Sequence, residues 1–157
     1  MRVLLAVCFA ITLCLIASVA RADELPANLL LRCQGKATAF ITSPGNKPDV
    51  FEDIFDKTLR LKDRTIGDIR YKFLEGEDCR LEAGVIKCEL DAIFPIQPFV
   101  NSIEKRHTVV TVDRETGEYH YVLETWGYEG KDTSGKQTSH GRHLFSGTCR
   151  PIGGRIF

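Results

Sequence analysis

The sequence has no excess of charge: 21 basic residues balance 21 acidic ones along 157 residues. That balance excludes a disordered acidic or basic tail protein. It also argues against an electrostatic nucleic-acid binder, which needs a basic excess. Long apolar runs are missing beyond the first 22 residues, which excludes a multi-pass membrane protein. No helical period is sustained, and no repeat or low-complexity block occurs. There is no Gly-x-Ser-x-Gly elbow for a hydrolase nucleophile.

The apolar run that does exist is N-terminal. Met1-Arg2 is a short basic start, and Val3 to Val19 is interrupted only by Thr12 and Ser18. Two small-x-small sites follow, with cleavage expected after Ala20 or Ala22. Residues 1–22 therefore read as a secretory signal peptide. A retained membrane anchor is the weaker reading, because the run is short for a bilayer span. Neither Cys8 nor Cys14 follows a small residue, so no lipid attachment is expected. Residues 1–22 hold two basic residues, Arg2 and Arg21, and no acidic ones, so the mature chain carries 19 basic and 21 acidic residues, a net −2. Residues 23–157 are enough for one domain with its own core. The expected location is periplasmic or secreted, with no membrane span after cleavage.

Four cysteines stay in the mature chain: Cys33, Cys79, Cys88 and Cys149. An even number in an exported chain implies two disulfides. Cys79 to Cys88 reads as a hairpin around Ala83-Gly84. Glu82 then faces Val85, Leu81 faces Ile86, Arg80 faces Lys87, and Cys79 lies opposite Cys88 as a non-hydrogen-bonded pair. The remainder pairs Cys33 with Cys149. Loop-closure entropy gives the short bridge roughly 2.7 kcal/mol and the long one about 5 kcal/mol. Free thiols or a zinc site are the alternatives, but Cys33 and Cys149 have no close cysteine neighbour.

The rest reads as short strands. Residues 29–41 form one, and residues 43–49 a loop. Val50 to Leu61 has mixed periodicity, with a helical turn allowed at Phe51–Asp56 and a strand at its end. Thr65 to Leu74 alternates as a half-buried strand, and Glu75–Asp78 reads as a turn. Pro95 and Pro98 make Ala92–Val100 a loop or an edge strand. The clearest hairpin joins Ile103–Asp113 to Tyr119–Tyr128 through a three-residue bulged turn at Gly117. In that register Arg114 faces Glu118, Val112 faces His120, Val110 faces Val122 and Arg106 faces Trp126. A polar loop runs from Glu129 to Gly141, and a last strand from Arg142 to Cys149. The fold class is all-β, a single compact antiparallel sandwich or small barrel stapled by two disulfides.

Chemistry-bearing clusters are few. His140 and His143 are the most ligand-like pair, but residues three apart on a strand face opposite sides and no third ligand is near. Gly130–Gln137 nearly matches a phosphate-cradling loop, yet Gln137 stands where Ser or Thr is needed. Glu75, Glu77 and Asp78 read as solvated charge. His120 reads as a half-buried structural histidine. Tyr119, Tyr121, Trp126 and Tyr128 share one strand, the first two on one face and the last two on the other. Core is the default for such aromatics, and a binding surface the alternative. No catalytic set, cofactor site or metal site is expected.

Leu31-Arg32-Cys33-Gln34-Gly35, the turn Asp113-Arg114-Glu115-Thr116-Gly117 and the closing Gly147-Thr148-Cys149 resemble small exported proteins of α-proteobacteria. That resemblance implies a compact periplasmic β domain and carries no catalytic residue over. A cysteine in the first strand and another near the end give a looser similarity to periplasmic C-type lysozyme inhibitors. The expected role is a non-enzymatic periplasmic domain that binds a small ligand or a protein partner. The alternative is inhibition of an extracellular hydrolase such as lysozyme, through a loop at Glu129–Gly141.

Overall fold

The computed structural model describes residues 24–70, 73–96 and 102–153. Residues 1–22, expected from sequence to be a signal peptide, lie outside them. Eight strands follow one another in chain order: β1 (Asn28–Thr42), β2 (Asp49–Lys62), β3 (Thr65–Asp68), β4 (Phe73–Glu82), β5 (Val85–Pro95), β6 (Ser102–Asp113), β7 (Glu118–Glu129) and β8 (Lys136–Pro151). Each pairs antiparallel with the next, and β8 returns to β1, so the sheet closes into a barrel. Closure satisfies the backbone groups that an open sheet would leave at its first and last strands.

Register decides which side chains point inward. Leu29, Leu31 and Cys33 on β1 stand opposite Leu61, Leu59 and Lys57 on β2, and Cys33 stands opposite Cys149 on β8. On β5 to β7, Ile86 meets Val112, Cys88 meets Val110, and these in turn meet Tyr119 and Tyr121. The resulting core fills one half of the barrel with Leu29, Leu31, Leu59, Leu61, Ile66, Ile86, Val110, Val112 and Tyr119, all buried. Each such aliphatic side chain contributes roughly 1.5–3 kcal/mol. Both disulfides are buried in this half, Cys33–Cys149 with Cα atoms 4.0 Å apart and Cys79–Cys88 with Cα atoms 4.1 Å apart. Two disulfides point to an oxidising, extracytoplasmic environment. Among the described residues no helix is long and apolar enough to cross a membrane.

Several sequence expectations change. The segment from Asp49 is strand throughout, with no helical turn. Thr65–Leu74 is not one strand: the Asp68 carboxylate accepts the Arg70 N–H at 2.8 Å, ending β3 in a turn, and a new strand begins at Phe73. Glu75–Asp78 is strand rather than turn, irregular where Asp78 takes a positive φ of 46°. Glu82, Leu81 and Arg80 pair with Val85, Ile86 and Lys87 as expected, and the register shifts just beyond Arg80, at the cysteine. Strand β5 continues to Pro95; residues 97–100 lie outside the described residues. Strand β8 starts at Lys136, so the loop before it is only Gly130–Gly135 and not Glu129–Gly141. Its polar residues are compatible with a strand that has one wet face.

The β6–β7 hairpin is one residue out of the expected register. Asp113 Oδ1 accepts the N–H groups of Glu115 and Thr116, at 2.9 and 2.7 Å, and Asp113 O accepts that of Gly117 at 3.0 Å. With Gly117 at φ 74°, the loop spans Arg114–Gly117. A one-residue slip exchanges the faces of a strand. Val112 therefore meets Tyr119 rather than His120, Val110 meets Tyr121 rather than Val122, and Arg106 meets Thr125 rather than Trp126. His120 sits on the exposed outer face, 2.8 Å from Glu118.

Candidate functional site

The barrel interior changes character halfway along its axis. Lys57 follows the apolar run of β2 and points inward opposite Cys33. Its Nζ lies 2.7 Å from Glu75 Oε1, and the two side chains are 10% and 6% exposed. Four rings surround the ammonium: Tyr121 and Phe145 at 4.6 Å, Tyr119 at 5.3 Å and Phe55 at 5.6 Å. A cation desolvated among ring faces gains up to about 2 kcal/mol. The Tyr119 hydroxyl donates to Glu75 Oε2 at 3.3 Å, and the Thr108 hydroxyl donates to the Glu75 carbonyl at 2.5 Å. Burial pushes the Glu75 carboxyl above its ordinary value, against the pull of Lys57. Burial also raises both tyrosine hydroxyls, Tyr119 well above its usual range.

Glu75 is the residue that sequence reasoning misplaced. Its neighbours in the chain, Glu77 and Asp78, are exposed, and an acidic run normally lies in solvent. The cation that carries Glu75 inward is 18 residues away on another strand. The local signal is the alternation of Lys57 with Leu59 and Leu61, which sets the lysine on the buried face of β2.

Beyond this floor the inward-facing residues become small or polar. The register lines that half with Ala37 and Ala39 on β1, Ala92 and Phe94 on β5, and Glu104 and Arg106 on β6. Leu123 and Thr125 on β7, with Gly141, His143 and Phe145 on β8, complete the wall. Arg106 is ion-paired to Glu104 at 2.7 Å, and its guanidinium lies 4.9 Å from the Phe94 ring centre. Burial lowers the His143 value, with Glu104 opposing. Phe51 and Phe94 face inward by register, yet remain 57% and 41% exposed. By register this half is the wider mouth of the barrel, a cup whose wall mixes small, aromatic and polar side chains, with the Lys57–Glu75 pair at its floor and the Arg106–Glu104 pair on its side.

The strand aromatics divide as their alternation requires. Tyr119 and Tyr121 are buried, where they form the floor of the cup. Trp126 lies outside, its ring stacked on His140 at 5.5 Å with Lys105 Nζ 5.6 Å from its centre. Tyr128 is also on the outer side of β7. His140 and His143 face opposite sides of β8, so they share no ligand. Among the described residues no group of three or more His, Cys, Asp or Glu is arranged to hold a metal. Both carboxylate oxygens of Glu75 are engaged, one by Lys57 and one by Tyr119. Comparison of the chain with known protein families, curated proteins and solved structures finds no match.

Proposed function

We propose that this chain is an exported, non-enzymatic binding domain of the periplasm or cell exterior, with a small apolar or amphipathic molecule as its ligand. The observation that supports this reading is the asymmetry of the barrel interior. One half is filled by large aliphatic side chains with no exposure to water. The other mixes small residues (Ala37, Ala39, Ala92, Thr125, Gly141) with aromatic and polar ones (Phe94, Phe145, His143 and the Arg106–Glu104 pair) and leaves Phe51 and Phe94 partly wet. An eight-stranded barrel has an interior wide enough for side chains or for one small ligand, and small and aromatic side chains with a few fixed polar groups suit the ligand. The signal-like N-terminus and the two disulfides support export.

The test is native mass spectrometry of protein purified from a periplasm, followed by the denatured spectrum. Extra mass in the native spectrum alone identifies a retained ligand. The variant Ala39→Trp, which fills the cup from β1, should lose that mass while keeping the fold. Retention of the same adduct by the filled variant would refute the cup as the site. A panel of lysozymes and proteases, assayed with the wild-type protein, tests the hydrolase-inhibitor alternative.

A further inference from the structure

Strand β2 is paired along its whole length on one side only. Towards β1 the ladder runs from Asp49 to Lys62. Towards β3 it covers only Leu59–Lys62, and the last bond is from Ile69 N–H to Thr58 O at 3.0 Å. Above Thr58, no described residue pairs with that edge. Backbone groups of an antiparallel strand point alternately to its two neighbours. Since Thr58 points towards β3, so do Asp56, Ile54, Glu52 and Val50. The Ile54 N–H bears this out: it is met by its neighbour's side chain, Asp53 Oδ1, at 2.7 Å rather than by a strand.

Long bare edges are normally blunted by charged side chains, most often lysine, by proline, by a bulge or by a covering loop, and here the acidic side chains take that role against a second copy while leaving the edge open to a basic strand. Asp49–Asp56 has no lysine, no proline and no register shift. It exposes Ile54 (81%) and Val50 (56%), two apolar residues whose side chains point to the outer face. Its charges are all of one sign: Asp49, Glu52, Asp53 and Asp56, with only Asp56 held by Arg32. On the opposite, paired side of β2 a groove of about 320 Å³ lies across the β1 ladder, lined by Lys36, Ala37, Thr38, Glu52, Asp53 and Ile54, so it is not part of the free edge. A second copy of the same strand would set carboxylates against carboxylates, which is unfavourable across a strand pair.

We infer that the free edge of β2 at Val50–Asp56 is a docking site for an extended polypeptide of alternating basic and apolar residues, which adds to the sheet as a further strand. Main-chain hydrogen bonds to Val50, Glu52 and Ile54 provide register-independent affinity, and side chains on alternate faces provide selectivity. On the inner face the basic residues of the partner meet Asp49 and Asp53, and on the outer face its apolar residues cover Val50 and Ile54. Asp49 and Asp53 share the inward face of β2 with Phe51, so the site borders the cup, and it is read out by the backbone amides of the edge rather than by a ligand in the cup.

The experiment titrates the full mature chain with a nine-residue peptide of alternating lysine and valine, capped at both ends. Amide hydrogen exchange is followed at Val50, Glu52 and Ile54. Three further titrations accompany it: the glutamate–valine counterpart, the lysine–valine peptide N-methylated at alternate residues, and the protein variant Glu52→Pro. Proline at residue 52 removes an N–H from the free edge and leaves the β1 ladder intact. The expected result is saturable binding with slowed exchange at the three amides. Affinity should fall by about tenfold or more for the N-methylated peptide, which loses two or three ladder bonds at roughly 0.5–1.5 kcal/mol each, and by about threefold or more for Glu52→Pro, which loses one. The glutamate–valine peptide should not bind. Equal affinity for the N-methylated peptide would mean a purely electrostatic contact and overturn strand addition. Protection of the three amides in the protein alone, with a dimeric mass by ultracentrifugation, would assign the edge to a second copy and overturn the basic partner.

Discussion

Replacing Lys57 by methionine isolates the charge pair at the floor of the cup. Methionine matches the lysine stem in length, and its thioether suits the ring faces of Phe55, Tyr119, Tyr121 and Phe145. What disappears is the ammonium 2.7 Å from Glu75 Oε1. Charge centres about 4 Å apart attract by about 4 kcal/mol at an effective dielectric near 20. Breaking a buried pair by removing one member costs about 3–5 kcal/mol, because the other charge stays buried alone. The Tyr119 hydroxyl still reaches Glu75, so the lower end of that range is expected. The pH dependence has a definite sign. Burial already raises the Glu75 carboxyl, and loss of Lys57 raises it further. A carboxyl raised in the folded state favours folding when protonated. Its contribution is full below the unfolded-state value and is lost as pH rises through the folded one. The variant should therefore recover stability relative to wild type as pH falls from about 7 toward about 5. The double variant Lys57→Met/Glu75→Leu, with no charge left to bury, should regain most of the loss at every pH. Urea unfolding followed by far-ultraviolet circular dichroism measures all three. A loss below about 1 kcal/mol, typical of a solvated pair, with no change on acidification, would refute the reasoning.

Three further outcomes follow from the same geometry. Replacing Cys33 and Cys149 by alanine should cost about 5 kcal/mol and the Cys79/Cys88 pair about 2.7 kcal/mol, since sequence separations of 116 and 9 set the size of the closed loops. Urea midpoints of the two double variants give the order, and the reverse order would contradict the assignment. Gly117→Ala places a side chain at φ 74° and its Cβ 2.6 Å from Cys149 O. Thermal unfolding should show a loss of at least about 1 kcal/mol. Gly35→Val drives a Cβ into the Ser146 backbone, where β1 and β8 bring Gly35 and Gly147 face to face. Amide exchange along Gln34–Lys36 should rise well above that of the other strands, and unchanged protection there would refute the close approach.

Much of the architecture was legible in the chain. The β-branched run Thr108–Val112 marked β6, and the leucine-rich start of β1 and the tyrosines of β7 marked theirs, because a half-buried strand needs one apolar face. Cysteine spacing gave both disulfides: the short one from a hairpin that sets its ends opposite each other, the long one by what remained. The polar opening of β8 was not legible, because Lys136-Gln137-Thr138-Ser139 has the composition of a loop and becomes strand only against β7. The register of the β6–β7 hairpin was missed by one residue. Asp113 bonding to two N–H groups lengthens the turn, and composition around Gly117 suits either loop length.

Sequence alone determined an all-β, disulfide-stapled chain for an oxidising compartment, since those features depend on local periodicity and residue count. Only the tertiary structure decided that the sheet closes as a barrel, because closure rests on β8 reaching β1 across the whole chain. It also decided that Glu75 lies inside with Lys57 while its neighbours Glu77 and Asp78 stay in water. The short reach of β3, which leaves the acidic edge of β2 open, was likewise set by packing. Burial and pairing of a charge depend on what the fold brings to it from distant strands, and no local pattern encodes that.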